Sequence, residues 1–157
     1  MASQSFDYRG WLRWLLLAIG IMLMLAFLAI FFPVSLMAWC HEKLGLGPFP
    51  DQPIVIYLAR STSLMYAVHG FLTFLVALNY DRYFDLVPVF GWLHFGMGLV
   101  MLGTDLNAGM PLLWTAAEGG PIAAAGLLIV WMWRNARKQE PRSNRWNHGI
   151  QREREPT

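Results

Sequence analysis

Four ionisable residues interrupt long apolar stretches of this chain: Arg60, His69, His94 and Glu118. An arginine and a glutamate in such surroundings can pair with each other or hold a charged solute. Two imidazoles can relay protons or supply the axial ligands of haem b. Which chemistry applies depends on the segments that carry these four residues and on how those segments pack.

The composition of the chain is typical of a membrane protein. Of its 157 residues, 56% are hydrophobic and 14% are charged, whereas about a quarter of the residues in a soluble domain are charged. A helix that crosses a bilayer needs about 20 apolar residues. Four runs satisfy this length, at residues 14–37, 54–78, 86–104 and 112–133. The first is longer than the apolar region of a cleaved signal peptide, which is about 7–15 residues.

These runs predict an all-α fold, an integral membrane four-helix bundle at residues 14–133. A short N-terminal segment, residues 1–13, precedes it. A basic tail, residues 134–157, follows it, and its low apolar content predicts disorder. Because lysine and arginine are retained on the cytoplasmic side, both termini are predicted to be cytoplasmic. Ten of the twelve lysines and arginines then lie inside, and the predicted location is the inner (plasma) membrane.

The basic tail is expected to fix this topology and to contact anionic lipids of the bilayer. Nucleic acid is not an expected partner, because no aromatic or glycine-rich binding motif accompanies the charges. The sequence shows no zinc-ligand spacing, phosphate loop or HExxH motif, so we expect no metal site and the catalytic residues, if any, are unknown. The single cysteine, Cys40, excludes an internal disulfide.

Arg60 and Glu118 each lie six residues inside their segments, counted from the same side of the membrane. Both are therefore about 9 Å along their helices, and we predict that they form an ion pair. Asp105, in the loop between the third and fourth segments, is predicted to complete an intramembrane polar cluster. Two alternatives stay open: the arginine can extend outward along its own stem, and the glutamate can be neutral by carrying a proton.

His69 and His94 lie near the middle of the second and third segments, where antiparallel neighbours could bring the two rings together. Gly91 and Gly98 flank His94 on its face and permit close approach of another helix. A haem held by both histidines is one hypothesis, and separate hydrogen bonds from each ring to a neighbouring hydroxyl or carbonyl are the simpler one. His69 shares an inward polar face with Thr62, Tyr66 and Thr73. Nine residues separate Arg60 from His69, which places them on opposite helix faces.

Several short stretches together resemble the DoxX-like superfamily of small bacterial membrane proteins. They are the early arginine of the second segment in "YLARSTSLMYAVHG", the glycines of the third in "FGMGLVMLGTD", the turn "LNAGMP" and the early glutamate in "WTAAEGG". The similarity covers residues 10–134 and implies an inner-membrane four-helix bundle. Some members of that group are linked to quinone-coupled redox chemistry. The additional cysteines expected of a thiol redox partner are absent from this sequence.

Three classes of function follow from these patterns. The first is a non-enzymatic membrane component, either a subunit of a membrane complex or a homo-oligomer, and the small residues of the third and fourth segments favour it. The second is a membrane redox subunit that binds quinone or haem near His69 and His94. The third is a carrier of a small solute or of protons that uses Arg60 and Glu118.

Overall fold

The computed structural model describes residues 6–50 and 52–139, and all regular structure in these ranges is helical. The basic tail was predicted to be disordered over residues 134–157, but the last long helix continues through its first five residues, to Lys138. The tail beyond residue 139 lies outside the described residues. The described residues form six α-helices and one 3-10 turn: α1 (Tyr8–Met24), α2 (Ala26–Ala29), α3 (Val34–Lys43), α4 (Pro53–Leu78), the 3-10 turn (Phe84–Leu86), α5 (Val87–Ala108) and α6 (Leu112–Lys138).

Within the described part of the chain, four helical stretches are long and apolar enough to cross a membrane: Tyr8–Ala29, Pro53–Leu78, Phe84–Ala108 and Leu112–Lys138. The predicted all-helical fold with four long apolar helices is confirmed. The chain therefore has the architecture of a multi-pass membrane protein. The reason is that each stretch satisfies its own backbone hydrogen bonds within one apolar helix, the solution that a bilayer requires.

The first long helix differs from the predicted run of residues 14–37. It begins at Tyr8, and its apolar part ends at Ala29, before a separate helix α3. Pro33 causes the break, because proline lacks a donor N–H and drives the preceding residue out of helical geometry. Arg9 and Arg13 were expected to precede the helix, but they lie within it. Their side chains reach polar partners near the end of α4, so they do not interrupt α1.

The bundle consists of two closely packed helix pairs, α1 with α4 and α5 with α6, joined mainly by contacts between α1 and α6. Glycines set the close spacing within each pair. A Cβ atom added to Gly20 of α1 would lie 2.9 Å from the backbone nitrogen of Phe74 in α4. One added to Gly119 of α6 would lie 2.8 Å from the carbonyl oxygen of Gly98 in α5. Such contacts let the helix backbones approach directly.

Two of the four glycines of α5 pack against α6. Added Cβ atoms at Gly91 and Gly98, the two glycines predicted to permit close approach, would meet atoms of α6. At Gly96 and Gly103 no described atom lies within 4 Å of such a Cβ. The difference follows from the positions of these glycines around the helix axis. Gly96 and Gly103 are seven residues apart and share one face of α5, which is turned away from α6.

The apolar core fills the half of the bundle that holds the two ends of the described chain. Gln139 donates a hydrogen bond to the carbonyl of Phe6 at 2.9 Å and so brings these ends together. The buried residues of α1 end at Gly20 and those of α4 begin at Ala67, while the described residues of α2 are all at least partly exposed. The core cluster includes Leu12, Leu16, Val76, Ala77, Phe84, Val87, Ile129 and Met132. Towards the other end, the two pairs share no such core within the described chain.

A polar seam between the helix pairs

The imidazole rings of His69 on α4 and His94 on α5 lie in contact. Their centroids are 4.8 Å apart and their planes are inclined by 53°. The ring of Phe90 lies 6.0 Å from that of His69. His94 is 3% exposed. The structure therefore brings together the two histidines that were predicted to face each other, and it places them where the two helix pairs meet.

A hydrogen bond shows which ring nitrogen of His94 is a donor. Its Nδ1 lies 2.8 Å from the carbonyl oxygen of Phe90, one helical turn earlier. Because a carbonyl only accepts hydrogen bonds, Nδ1 carries a proton, and Nε2 keeps its lone pair whenever the ring is neutral. The Nε2 atoms of both His94 and His69 are buried and have no hydrogen-bond partner among the described residues. Thr73 binds the carbonyl oxygen of His69 and not its ring.

Tyr66 extends this polar region by one helical turn along α4. Its hydroxyl donates to the sulfur of Met101 on α5 at 3.4 Å, which forms a second side-chain bridge between the pairs. Asp105 and Glu118 lie close enough to Tyr66, and to each other, for their charges to interact. We call the set Tyr66, His69, His94, Asp105 and Glu118 the polar seam.

Asp105 belongs to the last turn of α5 and not to the loop predicted for it. Its side chain is 8% exposed, and its Oδ2 has no hydrogen-bond partner within the described chain. Its backbone carbonyl accepts from Met110 in the turn after the helix, where Gly109 adopts the left-handed conformation that ends α5. Trp114, one turn before Glu118, interacts with the glutamate side chain.

Arg60 lies apart from the polar seam. Its Nη2 donates to the carbonyl oxygen of Phe32 at 3.3 Å, in the break before Pro33. Within the described chain, the ion pair closer than 4.0 Å is Arg9 with Asp81, and the structure does not form the predicted pair of Arg60 with Glu118. The reason is the packing of α4 against α1 and α2, which turns the Arg60 face of α4 towards the helix break. Arg60 and His69 do point to opposite sides, as predicted.

The two histidines, as placed, do not bracket a haem. An iron between two imidazoles requires nitrogen atoms about 4 Å apart and ring centres about 6 Å apart, if metal–nitrogen bonds are about 2 Å. The observed centroid distance of 4.8 Å is shorter. Across the described ranges, no three histidine, cysteine, aspartate or glutamate side chains converge on a common metal position.

Two further residues near the ends of α5 and α6 were not predicted from the sequence. Met101 is seven residues from His94, so helical spacing places both on nearly the same face, and this spacing could have identified it. Thr115 is 5% exposed, and its hydroxyl has no partner within residues 6–50 and 52–139. No pattern in the sequence distinguishes Thr115 from other threonines of apolar helices.

The chain was compared with protein-family models, with curated proteins and with solved structures, and none of the three comparisons found a match. The resemblance to the DoxX-like superfamily therefore stays a prediction.

Proposed function

We propose that this protein is a multi-pass membrane component that takes up and releases protons at His69 and His94. The observation that carries the proposal is the contact between two imidazoles whose buried Nε2 atoms have no partner in the described chain. Leaving a buried polar atom unpaired costs about 1–3 kcal/mol. Ionisable groups inside membrane segments are typical of proton relays and ligand sites, so we interpret this cost as supporting a binding role.

The remaining seam residues support a route for protons to the histidine pair. Tyr66 lies one turn from His69, and the carboxyl groups of Asp105 and Glu118 interact electrostatically with it. Carboxyl groups exchange protons readily and the tyrosine hydroxyl can pass one on. On the opposite side of the histidines lies the apolar core, with Val76, Val87 and Phe84. We therefore infer that protons reach the pair only from the end of the bundle away from the termini.

The topology belongs to the same proposal. The lysine and arginine distribution supports cytoplasmic termini in an inner membrane, and the resemblance to the DoxX-like superfamily supports that location. In this orientation the polar seam exchanges protons with the outside of the cell. Cys40, the single cysteine, is on α3 beyond the first long helix. A membrane-impermeant maleimide should label it in intact cells, while Ser143→Cys in a Cys40→Ser background should react only after the membrane is opened.

The proposal is tested by measuring charge displacement in proteoliposomes adsorbed on a solid support after a pH jump. Protons that move part-way into the membrane produce a transient current, whereas a continuous pathway produces a sustained one. We expect a transient current that His69→Gln with His94→Gln lowers severalfold. His41→Gln, outside the four long helices, is the matched control and should leave the transient unchanged.

Two results would contradict the proposal. A transient that survives in the double variant assigns the charge movement to other groups. A sustained current that requires both histidines indicates a complete proton carrier and not one-sided exchange. The far-UV circular dichroism of each variant has to match the parent protein, so that loss of signal is not loss of fold.

A second candidate function is a membrane redox subunit that binds quinone. The observation that favours it is the hydrogen bond of His94 Nδ1 to Phe90, which presents Nε2 as an acceptor. A quinol hydroxyl could donate a hydrogen bond to this atom. The implied link of the DoxX-like superfamily to quinone chemistry points the same way.

Quinone binding can be measured apart from proton exchange. Titration with a short-chain ubiquinone should quench tryptophan fluorescence in the parent protein and, if His94 is the acceptor, much less in His94→Ala. Absorption spectra before and after dithionite test for a coloured redox cofactor in protein purified from native membranes. Equal quenching in the parent and the variant would remove the redox candidate and leave proton exchange.

A further inference from the structure

The end of α6 forms a basic pocket that the proposed function does not use. The pocket has a volume of about 360 Å³ and is lined by Trp133, Arg134, Arg137 and Lys138. It lies at the end of the bundle that holds the described termini. Its three cations lie within five successive residues, beside one aromatic ring. Such a set can bind a ligand that carries both a phosphate group and an apolar part.

The wall of this pocket is held in place by the core. Trp133 donates from its indole nitrogen to the carbonyl oxygen of Phe84 at 3.0 Å, and Ala136 is fully buried. The guanidinium group of Arg137 lies over the Trp133 ring, 5.1 Å from its centroid. The guanidinium of Arg137 and the indole of Trp133 therefore form one surface, while the side chains of Arg134 and Lys138 are exposed beside it.

Among the described residues, no carboxylate forms an ion pair with the cations of the pocket. Within residues 6–50 and 52–139, the ion pair closer than 4.0 Å joins Arg9 and Asp81 and includes none of the pocket cations. The arginine guanidinium groups present planar forks of N–H donors that match phosphate oxygens. Tryptophan and tyrosine are enriched at the depth of lipid headgroups, and Tyr83 and Trp131 lie at this same end of the bundle.

From these observations we propose that the pocket binds the phosphate headgroup of an anionic phospholipid in the leaflet on the side of the termini. The sequence predicted lipid contact for the basic tail as a whole. The structure assigns it to the last two turns of α6, where Trp133 lies beside the acyl chains and the three cations surround the phosphate. Inorganic phosphate carries the same kind of negative charge as the lipid headgroup but has no acyl chains.

The test uses the full chain in neutral detergent micelles, with phosphatidylglycerol added and the shift of the unfolding temperature measured as a function of lipid. Phosphatidylcholine and inorganic phosphate serve as separate probes. Arg134→Gln, Arg137→Gln and Lys138→Gln together remove the pocket charge. The matched control removes the same charge from the tail by Arg142→Gln, Arg145→Gln and Arg152→Gln.

We expect the pocket variant to bind phosphatidylglycerol about a hundredfold more weakly, since each cation contributes about 1 kcal/mol near an anionic surface. The tail variant should change the affinity less than about threefold. Equal losses in the two variants would assign binding to general charge attraction and overturn the proposal. The proposal is also overturned if phosphatidylcholine binds as tightly as phosphatidylglycerol, or if inorganic phosphate alone produces the same shift of the unfolding temperature.

If the triple variant does not fold, Arg137→Lys replaces it. This substitution keeps the charge but removes the planar fork and its contact with Trp133. It should weaken phosphatidylglycerol binding about fivefold or more. An unchanged affinity would overturn the assignment of the phosphate to this pocket.

Discussion

His69 and His94 touch across the line where the two helix pairs of this bundle meet, with ring centroids 4.8 Å apart. Helices α4 and α5 otherwise approach each other less closely than the helices within each pair. The contact therefore links two units that are each held together by backbone packing. It combines a tertiary contact with two unpartnered ring nitrogens, and this combination leads to the first prediction.

In protein labelled with ¹⁵N at histidine, His94 should be the Nδ1–H tautomer at neutral pH, because Nδ1 donates to the carbonyl of Phe90. Nitrogen chemical shifts and one-bond couplings distinguish the two tautomers, and His94→Asn identifies the resonance. An Nε2–H signal for His94 would contradict both the geometry and the acceptor role proposed for Nε2.

A double-mutant cycle on Arg60→Gln and Glu118→Gln should show a coupling energy below about 0.5 kcal/mol, as expected for residues without a shared contact. The measurement is the free energy of unfolding in mixed micelles for the parent, both single variants and the double variant. If the two residues form the predicted ion pair, the coupling energy should be larger, and a variant with both charges reversed should recover the stability that each single reversal loses. Either result would show that the pair forms in mixed micelles and would contradict the contacts described for Arg60.

Gly98→Ala should lower the free energy of unfolding by about 1–3 kcal/mol, because the new methyl group would overlap the backbone of Ala123 in α6. Gly103→Ala is the matched control on the same helix, since no described atom lies within 4 Å of its new methyl group. It should be neutral or stabilising by up to about 1 kcal/mol, the difference in helix propensity. Equal effects of the two substitutions would contradict the close α5–α6 packing.

Trp133→Phe should destabilise the protein by about 1 kcal/mol, because it removes the donor to the Phe84 carbonyl and leaves that oxygen near the core. Trp39→Phe, at a side chain that is 57% exposed, is the control and should change stability little. Thermal unfolding in detergent measures both. A larger loss for Trp39 would indicate that α3 is packed against something beyond this chain.

The sequence predicted the helices better than the contacts between them. Apolar length is a property of one segment, so the four long helices could be recognised separately. Helical spacing likewise placed His69 on an inward face. The pairing of Arg60 with Glu118 was inferred from equal depth, but depth does not specify which helix stands beside which. The packing of α4 on α1, through Gly20 and Gly70, decides the partner of Arg60. Two glycines in apolar segments do not predict which helices pack together.

Pro33 shows the same limit at a smaller scale. The apolar run continues through it, so hydropathy alone extended the first helix to residue 37. The backbone rule for proline was sufficient to end the helix earlier. The carbonyl that this break releases at Phe32 is the one that Arg60 binds, so a local break also determines a long-range contact.

The apolar core at one end of the bundle has a consequence for what the histidine pair can sense. Under the proposed function, a proton that enters through Glu118 and Asp105 can leave only by the way it came. The occupancy of His69 and His94 then follows the acidity of a single compartment and is insensitive to that of the other. Under that proposal the protein would respond to the acidity on one side of the membrane, and the apolar core, which includes Val76, Val87 and Phe84, would separate the histidines from the other side.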